Sequence, residues 1–149
     1  MKQVLVTGYN GFLGTNLVPE LEKKFKVIGV SNSIKKNTKI HRITKDIQKI
    51  TKKDIPNNIS HILHLAAQTD VNFCQKNPQK CFETNIGGTQ NILEIAKKLN
   101  SKFIFLSTSH VFGVPQKLPI DENHPKSPTS IYSASKIAGE ILCESYAKS

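Results

Sequence analysis

An α/β fold built on a doubly wound parallel sheet is predicted for this 149-residue chain by three observations. Short apolar runs of strand length alternate with segments of helical period along the whole sequence. The runs are mostly apolar at successive positions, as strands covered by helices on both faces must be. The first run ends in a glycine-bearing turn, Thr7-Gly8-Tyr9-Asn10-Gly11-Phe12-Leu13-Gly14, that opens directly into a helical segment. At 38% hydrophobic content the chain buries one sizeable core, so a single domain is expected over residues 1–149.

Val4-Leu5-Val6 reads as the first buried strand. The helix after it carries Leu13, Leu17, Val18 and Leu21 on one face, and Pro19 within it removes a hydrogen bond, so a kink or compensation by packing is expected. Val27-Ile28-Gly29-Val30 is the second strand, Ile40 to Thr44 a weaker third, Ile62-Leu63-His64-Leu65 a fourth and Phe103-Ile104-Phe105-Leu106 a fifth. From Pro78 to Asn100 the positions Ile86, Leu93 and Ala96, with Ile92, Ile95 and Leu99 beside them, follow a helical period that Gly87 and Gly88 interrupt. An interior glycine costs about 1 kcal/mol relative to alanine, so the pair marks either a close approach to another backbone or a cofactor, or a local bend. A loop with Pro115, Pro119, Pro125 and Pro128 leads to a last helix from about Ile131. Right-handed crossovers and a switch point at the first strand predict the strand order 3-2-1-4-5.

The formal charge of +10 raises nucleic acid or an anionic membrane as partners, but the residue types argue against both. Arg42 is the single arginine among 21 basic residues, and the lysines come in scattered pairs without interleaved aromatics. That is a solvated lysine surface, not a face for base readout. No apolar run reaches membrane-spanning length, and the glycine at position 8 comes too early for a secretory segment. Cys74, Cys81 and Cys143 form no CxxC pair, so neither a disulfide framework nor a zinc site is expected, and a reducing cytoplasm is. His41, His61, His64 and His124 lack ligand spacing, and no metal is predicted.

Three segments carry chemistry. A turn such as Thr7–Gly14 between strand and helix lets the backbone approach a pyrophosphate, whose charge the free N–H groups and the helix dipole attract; glycines also serve merely to turn a chain. In Tyr132-Ser133-Ala134-Ser135-Lys136 a phenol and an ammonium share a helix face, and the positive charge favours phenolate for proton exchange with a hydroxyl or carbonyl. The plainer reading is a tyrosine ring packed on a lysine stem. Ser107-Thr108-Ser109 follows the fifth strand, either as a hydroxyl at the ligand-binding edge of the sheet or as a simple polar turn.

TGYNGFLG, HLAAQTDV, TNIGGTQNIL, FLSTSHVFG and YSASKIAGE stand together in one order and spacing. In these the chain resembles extended short-chain dehydrogenases/reductases of the NAD-dependent epimerase/dehydratase family, with some similarity to dTDP-4-dehydrorhamnose reductases around DVNFCQKNP. The resemblance implies a Rossmann-type sheet, an NAD(P) cofactor and hydride transfer at a carbinol or ketone of a nucleotide-linked sugar. It makes Thr108, Tyr132 and Lys136 the catalytic threonine, tyrosine and lysine, with Tyr132 the acid/base. It places Gly8, Gly11, Phe12, Leu13 and Gly14 around the pyrophosphate, Asp46 and Ile47 at the adenine, and Leu65, Ala66 and Ala67 at the ribose and nicotinamide. Asn85 backs the site, and Tyr132 and Lys136 also meet the cofactor.

Epimerase and reductase are the two subtypes implied. Ser109-His110 stands where the family's 4,6-dehydratases carry an Asp-Glu pair, which argues against that reaction; His110 reads as structural. Family members continue into a C-terminal region that binds the sugar nucleotide, so the chain is expected to stop before its substrate domain. The alternative is a non-catalytic NAD(P)-binding regulatory subunit or an inactive N-terminal fragment. The resemblance further implies a homodimer through the helices of Pro78 to Asn100 and Ile131 to Lys148. At the end of the second strand Ser31, Asn32 and Ser33, followed by Lys35 and Lys36, present no carboxylate to repel a 2′-phosphate, so NADP(H) is slightly favoured.

Overall fold

Alternation along β1 (Gln3–Thr7) divides the core between the two sides of the sheet. Leu5 belongs to one side with Ile28, Ile62, Ile92 and Ile95, and Val4 and Val6 belong to the other with Val18 and Val27. Successive side chains of a strand point to opposite faces, so a central strand apolar at consecutive positions is covered from both. The computed structural model describes residues 1–33 and 40–149. Within them β2 (Lys26–Ser31), β3 (His41–Thr44), β4 (Ile59–His64) and β5 (Lys102–Phe105) join β1 in one sheet. All four pairings are parallel and the order is β3-β2-β1-β4-β5, the order expected. The chain reverses its direction of travel across the sheet between β1 and β4, whose carboxyl ends form the switch point.

The first helix, α1 (Phe12–Glu22), buries a narrower face than its leucines suggest. Gly14 and Val18 are buried, whereas Leu13 and Leu17 are 48% and 36% exposed. A Cβ at Gly14 would lie 2.4 Å from the Tyr9 carbonyl oxygen, so the helix is pressed onto the turn along its Gly14–Val18 line. That contact turns Leu13 toward the cleft and Leu17 outward. Pro19 is exposed and the helix runs through it, so solvent access rather than packing compensates for the missing hydrogen bond.

The run expected over Pro78–Asn100 has three parts: α3 (Pro78–Phe82), a π-helical segment at Glu83–Gly88 and α4 (Thr89–Leu99). Gly88 is the position of close approach, since a Cβ there would lie 2.5 Å from Ile47 Cδ1, a side chain rather than a backbone or cofactor. Gly87 has nothing within 4 Å of its Cβ direction. The last helix, α5 (Ile131–Ala147), starts at a capping box between Ser130 and Ser133. Among the described residues no helix is long and apolar enough to cross a membrane.

A disulfide overturns the expectation of unpaired cysteines. The short helix α2 (Val71–Lys76), capped by Asp70, ends at Asn77, and the break before Pro78 folds α3 back beside it. Cys74 and Cys81 thereby stand 5.1 Å apart at Cα and are bonded. A helix break supplies the turn that a CxxC spacing would otherwise provide. The inference of a reducing cytoplasm, which rested on unpaired cysteines, loses that ground.

Candidate functional site

The turn after β1 is shaped by backbone contacts. Gly8 adopts φ +68°, donates its N–H to Val30 O at 2.8 Å, and would place a Cβ 2.8 Å from the Ala66 backbone nitrogen. Only glycine satisfies both demands. Gly11 folds back through its N–H to Gly8 O (3.0 Å) and occupies the N-cap position of α1 in extended conformation. The N-cap Gly11 has no side chain to cap α1 and no side-chain cap is present among the described residues, which leaves the first-turn N–H groups for another acceptor.

These residues border a cavity of about 440 Å³ at the switch point. The structure brings Gly8, Gly11, Phe12, Leu13 and Gly14 into its wall beside Asp46 and Ile47 from the segment after β3. Leu65, Ala66 and Ala67 from the end of β4 line it as well, as do Ser31 and Asn32 from the end of β2. With Leu106 after β5, the cavity is thus a cleft across the carboxyl ends of all five strands, bordered by the N-terminus of α1. Asn10, Thr69, Thr84 and Leu106 also border it and were not singled out from the sequence. Asn10 sat inside the quoted turn and Leu106 at the end of the fifth strand, which were the readable signals; Thr69 and Thr84 reach the cleft only through loop and π-segment geometry.

Asn10 changes the reading of the β2 end. Its amide donates to the Ser33 hydroxyl (2.9 Å) and the Ser33 carbonyl (3.2 Å), and its carbonyl oxygen accepts from Ser31 Oγ (2.8 Å). Ser31 therefore already donates its hydroxyl proton to Asn10, whereas Ser33 Oγ accepts from it, and Ser33 does not border the cavity. Lys35 and Lys36 lie outside the described residues.

The remaining site residues form a second cluster beside the cleft. Asn85 is buried: its side chain accepts from Gln68 N (2.7 Å) and donates to Gln68 O (3.0 Å) and Ser135 Oγ (2.9 Å). Thr108 accepts from His110 N at 3.3 Å and caps a 3-10 turn at Ser109–Phe112. Tyr132 is 8% exposed, packed with Cys74 and Cys81, and meets the His110 ring edge-on at 6.0 Å. Lys136, one turn on, is buried with its ammonium 4.1 Å from the centre of the Phe105 ring. Burial lowers its pKa to about 8, against the opposing effects of Cys143 and Glu140. No hydrogen bond joins Tyr132 to Lys136 among the described residues. Thr108, Tyr132, Lys136 and Asn85 do not border the 440 Å³ cavity.

A cleft of this shape, lined by a glycine turn and apolar β4 residues, fits a dinucleotide: backbone donors at one end and an apolar wall at the other. The chain is similar to several known proteins. A putative UDP-glucose 4-epimerase of Methanocaldococcus jannaschii is 37% identical over 159 aligned residues, covering 96% of this chain and 50% of that protein. The solved UDP-N-acetylglucosamine 4-epimerase from Methanobrevibacter ruminantium M1, in complex with UDP-N-acetylmuramic acid, superposes with a TM-score of 0.93 at 29% identity, over 99% of this chain and 51% of that one. A monomeric L-threonine 3-dehydrogenase from a metagenome superposes with a TM-score of 0.88 at 34% identity, over 97% and 49%. The chain spans about half the length of each. The model of the NAD dependent epimerase/dehydratase family matches residues 4–149, and this chain belongs to that family of enzymes.

Proposed function

We propose that residues 1–149 form the NAD(P)-binding, proton-transferring part of a nucleotide-sugar epimerase or reductase. The observation that carries this is the cleft itself: Gly8 at positive φ against Ala66, the uncapped start of α1, and Asp46, Ile47 and Leu65–Ala67 in one wall. A bound nicotinamide would supply the hydride acceptor or donor. The chain's own residues do the rest. The first-turn N–H groups of α1 neutralise a pyrophosphate, Asp46 and Ile47 hold the adenine, and Ala66 and Ala67 leave room for the nicotinamide ribose. Tyr132 exchanges a proton with the sugar oxygen, helped by the charge of Lys136 and a hydrogen bond from Thr108. Ser109 and His110 offer no carboxylate pair for water elimination, which favours epimerisation or reduction over dehydration.

The sugar nucleotide itself is assigned to sequence of the kind found in the other half of the relatives. Pairing through the α3–α4 run and α5 into a homodimer belongs to the same proposal, supported by α4 and α5 lying side by side and by Ile141, 55% exposed on α5. A cytoplasmic location is also part of it, with the Cys74–Cys81 bond as the observation against it. The finer cofactor reading is a slight NADP(H) preference, resting on the missing carboxylate at Ser31–Ser33 and reduced by Asn10, which already accepts the Ser31 hydroxyl proton.

A non-catalytic NAD(P)-binding subunit is the second reading, favoured by Lys136, whose ammonium sits on Phe105 rather than at the Tyr132 phenol. Joining residues 1–149 to the C-terminal half of the archaeal UDP-glucose 4-epimerase relative separates the two. Tyr132→Phe in that chimera removes the transferable proton, so turnover should fall by about 100-fold or more while NAD(H) affinity stays within about twofold. A chimera that binds NAD(H) but turns nothing over, with the phenol or without it, would leave the binding-subunit reading standing.

A further inference from the structure

His64, read from the sequence as an ordinary core or surface histidine, sits at the join between the two clusters. It is 1% exposed, at the last position of β4, immediately before the Leu65–Ala67 wall. One ring nitrogen, Nδ1, lies 2.8 Å from Thr7 Oγ1, and the other, Nε2, lies 3.1 Å from Thr89 Oγ1. The protons of this chain can be placed from its ends. Thr89 donates its hydroxyl proton to the Asn85 main-chain carbonyl at 2.6 Å, an oxygen that only accepts. Thr89 Oγ1 must then accept from His64, which puts the proton on Nε2. Nδ1 is left as an acceptor for the Thr7 hydroxyl, and Thr7 Oγ1 in turn accepts the Ala66 N–H at 3.1 Å. Beyond Asn85 the chain continues: its side-chain amide donates to Ser135 Oγ, which donates to the Tyr132 carbonyl at 2.6 Å.

We infer that His64 is a positioning residue of this site, which, as the neutral Nε2–H tautomer, ties the Ala66 wall of the cleft to the helix carrying Tyr132 through two runs of hydrogen bonds that meet at Asn85, one ending on its main-chain oxygen and the other starting from its side-chain amide. The surroundings enforce neutrality. Phe103 and Phe105 of β5 lie beside the ring at 5.6 and 6.1 Å, and the ammonium of Lys136 opposes a second positive charge there. Burial, with Lys136 second, lowers the pKa of His64 to about 3. A rigid link of this kind sets the distance between cofactor floor and acid/base helix without touching either reacting group. The part of the inference that concerns the cofactor rests on the proposed NAD(P) site; the tautomer and the linkage do not.

Nitrogen-15 NMR of the imidazoles in the 149-residue chain tests the linkage directly. His64 is expected as the neutral Nε2–H tautomer from about pH 5 to 8, and Thr7→Val, on β1, should shift the Tyr132 and Ser135 amide resonances. His64→Leu should weaken NADH or NADPH binding about tenfold, and His64→Gln, which restores a donor toward Thr89, should recover most of it. An Nδ1–H tautomer or an imidazolium near pH 6 overturns the inference, because either reverses the hydrogen bonds at Thr7 or Thr89. Unmoved Tyr132 and Ser135 resonances overturn it too, as does parental cofactor affinity in His64→Leu. Should that variant fail to fold, the tautomer in the unsubstituted chain decides. A parent chain that binds neither dinucleotide contradicts the cofactor proposal instead, and the two NMR results then decide the linkage alone.

Discussion

The two halves of the site are built by different means. On the β1–α1 side the turn takes its shape from backbone packing where side chains are absent: Gly8 against Ala66, and Gly14 against Tyr9. On the α3–α5 side the arrangement follows from side chains that find each other across the sequence, Asn85 with Gln68 and Ser135, and His64 with Thr7 and Thr89. A backbone-built site is sensitive to added volume and nearly indifferent to polarity. A site built from buried hydrogen bonds is sensitive to polarity at constant volume.

Adding volume on the first side should have the largest effect. Gly8→Val combines a positive φ with a clash against the Ala66 backbone, and is expected to cost about 3 kcal/mol or more, read as a shift in the urea midpoint at unchanged slope. Gly87→Ala, with open space around it, is the contrast: a neutral or slightly stabilising change by the same measurement. A Gly8 variant as stable as the parent would break the distinction between the halves.

On the second side, Asn85→Leu keeps the volume and removes the polarity, leaving Gln68 N, Gln68 O and Ser135 Oγ without their partner. It should lose about 2 to 3 kcal/mol. The pH dependence of the parent sharpens the same point. His64 has a folded-state pKa of about 3 against 6.5 for the free side chain, so below about pH 6.5 the unfolded chain binds a proton that the native one refuses. Stability should therefore be unaffected by this group above that pH and fall as pH drops toward 3, at up to about 1.4 kcal/mol per unit. Asp54, held down to about 2 by its bonds to Lys45 and Thr51, acts only below about pH 4, so the interval between belongs largely to His64. Unfolding at pH 5 and pH 7 checks this: equal stabilities would mean that His64 is not held neutral.

These differences also explain what was legible in the sequence. The sheet order, the five strands and the Thr7–Gly14 turn could be read because they depend on local pattern: runs of valine and isoleucine, and glycines at a strand–helix junction. The Asn85 clamp could not, since its partners lie 17 and 50 residues away and nothing in the spacing marks them. The Cys74–Cys81 bond was missed because it depends on the helix break at Asn77. Leu13 and Leu17 were placed in the core because helical period alone does not show that Gly14 fixes which face turns inward.

The smallest expected effect lies where the halves meet cofactor chemistry. Asn10→Ala removes the acceptor of the buried Ser31 hydroxyl and a donor to the exposed Ser33, so stability should fall by about 1 kcal/mol. The ratio of NADPH to NADH affinity should rise by a few-fold as the Ser31 hydroxyl becomes available to a 2′-phosphate. Titrations of parent and variant at one salt concentration measure it, and an unchanged ratio would remove Asn10 from the selection of cofactor.

The claim on which both halves depend is that the cleft at the carboxyl ends of the strands holds a dinucleotide. Titrating the 149-residue chain with NADH and with NADPH, followed by the backbone amide resonances, tests it most directly. Saturable one-site binding is predicted, with the largest shifts at Gly11 to Gly14, Asp46, Ala66 and Ala67. No saturable binding of either dinucleotide, or shifts that map away from the α1 N-terminus, would contradict it.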